Sequence, residues 1–72
     1  MDDRQLFFGI GERIRHLRTE RGISQQELAA MCDFEKSNMS RIESGKTNLT
    51  LKNMYKISRA LGVRLSDLVD FE

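Results

Sequence analysis

Apolar residues recur along this chain at intervals of three and four, the period of a helix with one buried face. Phe7, Ile10, Ile14 and Leu17 form one such stripe, which predicts a helix starting between residues 5 and 11 and running to about Arg21. Gly9 and Gly11 weaken its beginning, each by about 1 kcal/mol relative to alanine, so polar residues 1–5 are expected to fray. Gly22 ends the helix, and Ile23 is expected to tuck into the core. Ser24 followed by Glu27 has the spacing of a capping box. Leu28 and Ala29 begin the next buried face, and Met31 or Cys32 continues it. Asp33 and Phe34 break the pattern. It resumes near Lys36, with Met39 and Ile42 facing inward and Gly45 just past the helix end. After a loop, Thr50 is a predicted N-cap for a helix from Leu51 to Leu61 with Leu51, Met54, Ile57, Ser58 and Leu61 inside, and Gly62 terminates it. Val63 and Leu65 are expected to pack inward and Ser66 to cap a last short turn or helix from Asp67 to about Phe71, with Asp67 suited to the helix dipole.

Composition narrows this pattern to an all-α class. Proline is absent and β-branched residues are sparse, so the expected architecture is a compact five-helix bundle. Seventy-two residues make one domain, 1–72, and a chain of this size buries only about 60% of its unfolded surface. One cysteine excludes an internal disulfide. No apolar run approaches the roughly 18 residues of a membrane span, and Met1-Asp2-Asp3 does not open a signal peptide. A cytoplasmic, nucleoid-associated protein with no membrane partner is expected. Net charge is only +1, but all twelve basic residues lie between Arg4 and Arg64 with six acids, a local surplus of +6. Five acids sit at the ends, so the middle is able to present a basic face.

Residues 24 to 45 read as two short helices joined by a tight break, a helix-turn-helix, whose second helix lies in the DNA major groove. With Met39 and Ile42 inward, that recognition helix, about 36–44, turns Lys36, Ser37, Ser40, Arg41 and Ser44 outward, flanked by Asn38 and Glu35. The early residues of such a helix read base edges. Lys36, Ser37 and Arg41, with Asn38 and Ser40, are therefore candidate base contacts. Lys and Arg suit guanine O6 and N7, at about 1–3 kcal/mol of discrimination per good bidentate contact. Phosphate contact alone is the other reading for Lys36 and Arg41. Glu35 is able either to accept from cytosine or only to cap its own helix.

The chain resembles the phage repressor/Cro-type (XRE-like) helix-turn-helix family. The likeness is carried by Ser24, Gln25, Glu27, Leu28, Ala29, Ser37, Ser40, Arg41, Ile42, Glu43, Gly45 and Lys46. Arg18 and Gly22 extend it upstream, and Leu51, Ile57, Ala60, Leu61, Gly62 and Val63 downstream, so it covers roughly residues 10–69. The resemblance implies that Gln25 bonds a phosphate and braces the recognition helix. It also implies that Ser44, Lys46, Thr47 and Asn48 clamp the backbone, and that Arg18 pairs with Glu43 to set the helix's tilt. Arg15 has a phosphate role or a solvated one. The family usually places glycine at Asp33, a Ser or Thr cap at Glu35 and often proline at Leu49, so this chain has a costlier turn, a weaker cap and a looser loop.

No catalytic dyad, metal cluster or cofactor loop is legible: His16 and Cys32 stand alone, and Gly9-Ile10-Gly11 lacks a third glycine and a preceding strand. A non-enzyme with no cofactor and no small-molecule effector is expected. The reading is a sequence-specific regulator of double-stranded DNA, a repressor or controller. It is expected to act as a homodimer on a palindromic operator, because one reading helix covers few base pairs. Tyr55, Leu65, Val69 and Phe71 are the candidate dimer surface, the other reading being that they simply close the bundle. The alternative function is an antitoxin-like or adaptor interaction module with weak or no DNA binding.

Overall fold

The computed structural model describes residues 1–71; Glu72, the last residue of the expected domain, lies outside the described residues. Among them are four α-helices and one short 3-10 helix, not five α-helices. These are α1 (Asp3–Glu20), α2 (Gln25–Met31), α3 (Lys36–Glu43), α4 (Leu51–Leu61) and the 3-10 helix Leu65–Val69.

The first helix begins earlier than its glycines suggest. The Asp2 carboxylate accepts the Gln5 backbone N–H and the Gln5 side chain accepts the Asp2 N–H, both at 2.9 Å. This capping box satisfies two donors that a helix start leaves open, so residues 3–5 are helical rather than frayed. The two glycines are recruited for close packing. Phe71 lies across Gly9, and the Ile42 and Glu43 carbonyls lie against Gly11 so closely that a Cβ there would stand 2.5 Å from the Ile42 oxygen. An 18-residue helix is about 27 Å long, so α1 spans most of the molecule's 30 Å long dimension.

The core is a single cluster fed by every element. Ile10, Ile14 and Leu17 of α1 meet Leu28 and Ala29 of α2, Met39 and Ile42 of α3, Ile57 and Leu61 of α4, and Leu68. Burying one such Leu or Ile side chain contributes about 1.5–3 kcal/mol. Phe7 of the expected stripe is only half-buried. Cys32, not Met31, continues the α2 face; Met31 stays 55% exposed. Leu51 is exposed as well, because the first residue of α4 projects beyond the core that Met54, Ile57 and Leu61 fill.

Turn chemistry sets the angles between helices. Asp33 takes the left-handed conformation at φ 60°, and Gly22, Gly45 and Gly62 do the same after the other helices. After Asp33, the Phe34 N–H donates to the Ala29 carbonyl at 2.8 Å, closing the turn between α2 and α3. Ser66 is not the cap of the last helix. Arg64 occupies that position, and the Asp67 carboxylate accepts its backbone N–H at 2.9 Å, so the element starts at Leu65. The Arg13 Nε ties it to α1 by donating to the Asp67 carbonyl at 2.7 Å.

Candidate nucleic-acid interface

The inner face of α3 is anchored by Met39 and Ile42, both buried, which leaves Lys36, Ser37, Asn38, Ser40 and Arg41 together in solvent. Glu35 stands at the N-cap of α3 without a side-chain cap bond. The first N–H groups of the helix therefore remain open beside Lys36. A groove lined by Asp33, Phe34, Glu35, Ser37, Asn38 and Arg41 runs along this end of the helix. Phe34 holds the turn in place, half-buried against the core with the Lys56 Nζ 5.6 Å from its ring centroid.

Charge sets the orientation of α3 from beneath. The Arg18 Nε donates to one Glu43 oxygen at 2.7 Å and its Nη2 to the other at 2.9 Å. A third bond runs from Nη1 to the Ile23 carbonyl at 2.9 Å. One guanidinium thus joins α1, the loop before α2 and the last residue of α3. The hydrogen bonds to Glu43 raise the Arg18 pKa still further, against the opposing pull of burial. Gln25 completes the arrangement, its Nε2 donating to Glu43 Oε1 at 3.1 Å. Gln25 is half-buried, and Ser24 and Gln26 on either side of it are exposed.

Beyond α3 the chain turns back on itself. Gly45, at φ 74°, donates to the Ile42 carbonyl and Lys46 to the Arg41 carbonyl, at 3.1 and 2.9 Å. The Ser44 hydroxyl is turned inward, donating to the Ser40 carbonyl at 2.8 Å, so it must rotate to serve a phosphate. Ser44, Lys46 and Asn48 are exposed and Thr47 is half-buried. A groove lined by Arg15, Arg18, Gln25, Ser40, Glu43 and Ser44 connects this loop with the start of α2.

Two further groups of surface residues lie outside the α3 face. The four residues expected at a dimer surface differ in exposure and in surroundings. Tyr55 shares a groove with Met31, Lys56 and Arg59, whereas Phe71 sits with Gly9, Arg13 and His16. Val69 is exposed, while Leu65 and Phe71 are partly buried against the core. Arg4, Gln5 and Phe8, which carry no motif signal, share a groove with Ser44, Gly45 and Lys46. No spacing rule links positions so far apart in the chain; only the close approach allowed by Gly11 and Gly45 brings them together. Among the described residues no group of His, Cys, Asp and Glu is arranged to hold a metal ion, and no helix is long and apolar enough to cross a membrane.

A family model described as helix-turn-helix matches residues 14–68. The chain is 44% identical over 63 residues to the control protein C.BamHI of Bacillus amyloliquefaciens, an overlap of 86% of this chain and 78% of that one. Its fold is similar to the restriction-modification controller protein C.AhdI of Aeromonas hydrophila, with a TM-score of 0.84 and 34% identity over 86% of this chain and 94% of that one. It is also similar to SinR, a master regulator for biofilm formation whose crystal structure holds DNA. There the TM-score is 0.78 and the identity 39%, over 85% of this chain and 98% of that one.

Proposed function

This chain belongs to the phage repressor/Cro-type helix-turn-helix family, and from that premise we propose how it uses the exposed face of α3. The protein is a DNA-binding transcriptional regulator of the repressor or controller type, with α3 as the helix that enters the major groove. The supporting observation is the polar ridge Lys36–Arg41, raised over a buried Arg18–Glu43–Gln25 network that holds α3 in one orientation.

Lys36 and Arg41 read guanine edges, and Ser37, Asn38 and Ser40 add contacts from the same face. Gln25 and Lys46 hold phosphates on either side, with Ser44, Thr47 and Asn48 completing the clamp. Two copies bind a palindromic site with their α3 helices about 34 Å apart, and the exposed Tyr55 and Val69, with the partly buried Leu65 and Phe71, are the candidate contacts between copies. Its place of work is the cytoplasm, on the nucleoid. The likeness to C.AhdI, a restriction-modification controller protein, favours control of restriction–modification genes over a phage or antitoxin role. No observation favours the adaptor reading, and no catalytic step is assigned.

Selection of bound duplexes from a random pool, followed by mobility shift at two salt concentrations, tests this. A specific, symmetric site should emerge, with log K falling steeply with log salt at about 0.9 per neutralised phosphate. Arg41→Ala should cost about 1–3 kcal/mol and relax preference at one base pair, while Lys46→Ala should weaken every sequence alike. Binding that ignores salt, or no binding at low salt, rejects the reading.

A further inference from the structure

The N-terminal half of α1 carries a stripe that the motif does not use. Arg4, Phe8, Gly11 and Arg15 follow one another at steps of four, three and four, so they lie along one side of the helix. The centre of that stripe is seated on the exit from α3. Gly11 meets the Ile42 and Glu43 carbonyls, and the backbone of Phe8 lies against Gly45, where a Cβ would stand 2.7 Å from the Phe8 Cα. Arg15 and Arg4 emerge on either side of this contact, both exposed and about 16 Å apart along the helix.

The grooves on the two sides meet at one residue. Arg15, Gln25, Ser40 and Ser44 line one, and Arg4, Phe8, Ser44 and Lys46 line the other, so Ser44 borders both. Of the acids near this track, only Glu43 is neutralised by a close cation; Asp2, which lines the second groove, and the exposed Asp3 keep their charge. Asp2 accepts the Gln5 N–H at the helix cap, Glu43 is paired with Arg18, and Glu12 approaches Arg15 at 3.9 Å in solvent, where such a pair is worth little.

The geometry points to Arg4 as a further DNA-backbone contact. The sugar-phosphate strand gripped between Gln25 and Lys46 continues past Lys46 along α1, with Arg4 at its far end and the exposed Phe8 ring beneath the sugars. This rests on the DNA-binding reading above and extends its footprint by one phosphate per copy. Arg4 and Lys46 outnumber Asp2 in the groove they share, and Ser44 joins that groove to the face already assigned to the duplex.

The test is the salt dependence of binding to the selected duplex for the wild-type chain, Arg4→Gln and Arg4→Lys. Arg4→Gln should lower the slope of log K against log salt by about 0.9 per bound copy, about 1.8 for the two-copy complex, with sequence preference unchanged, and Arg4→Lys should restore the slope. A wild-type chain that binds steeply while Arg4→Gln keeps the full slope overturns this contact alone, as does a lysine that fails to restore it. A wild-type chain that binds no duplex overturns both this contact and the function it rests on.

Discussion

Replacing Glu43 with alanine separates a positioning network from a decorative ion pair. The Glu43 side chain is 3% exposed and its Arg18 partner 12%. Truncation removes the acceptor of three hydrogen bonds, at 2.7, 2.9 and 3.1 Å, and leaves the guanidinium with only the Ile23 carbonyl. Breaking a buried pair in this way costs about 3–5 kcal/mol. Two effects lower that figure. Arg18 is not wholly enclosed, so water can reach part of it. A carboxylate at the last residue of α3 also opposes the helix dipole, and its removal returns about 0.3–1 kcal/mol. A net loss of about 2–4 kcal/mol remains. At about 4–8 °C per kcal/mol for a domain of this size, the melting temperature should fall by about 8–32 °C. Thermal and urea unfolding followed by far-ultraviolet circular dichroism measure this, and a double-mutant cycle with Arg18→Ala isolates the pair. Glu43→Gln, which keeps an acceptor oxygen and the size, should lose less. A coupling energy below about 0.5 kcal/mol, the range of exposed pairs, would refute the idea that this network holds the reading helix.

Three further outcomes follow from particular residues. Asp33→Gly should raise stability by about 0.5–1 kcal/mol, because glycine adopts the φ of 60° without the Cβ penalty; a lower urea midpoint at unchanged m-value contradicts it. Gly11→Ala should destabilise by about 1–3 kcal/mol despite alanine's better helix propensity, because the new Cβ meets backbone oxygens at 2.5 and 2.6 Å; a higher melting temperature would show that α1 and α3 separate freely. Finally, the Glu27 carboxylate accepts the Ser24 N–H, and that bond, followed by the Ser24 hydroxyl, lowers its pKa below the ordinary 4.5. A lowered folded-state pKa means that the stabilisation is complete above the ordinary value and is lost as pH falls through the folded one. Glu27→Gln, which also fits a capping box, should flatten this part of the acid limb in urea titrations, and an unchanged limb would assign it to other carboxylates.

Local rules reached a long way here because helices are specified by neighbours. The Ser24–Glu27 box, the Thr50 cap, the break at Asp33-Phe34 and the ends at Gly22, Gly45 and Gly62 all depend on residues within four positions of one another. The period of three and four likewise marks Ile14, Leu28, Met39 and Ile57 as core without any coordinates. The polar ridge Lys36–Arg41 was legible for the same reason, as the complement of an apolar face. What tertiary structure alone decided are the contacts made across the chain. Gly9 and Gly11 look like helix breakers in isolation, yet α1 runs through them because Phe71 and the α3 carbonyls occupy the space a side chain would take. The same packing brings Arg4 beside Lys46 and turns Gln25 onto Glu43. Periodicity states which side of a helix is buried. Only packing against distant chain determines what lies against it, since that depends on how all the helices cross at once.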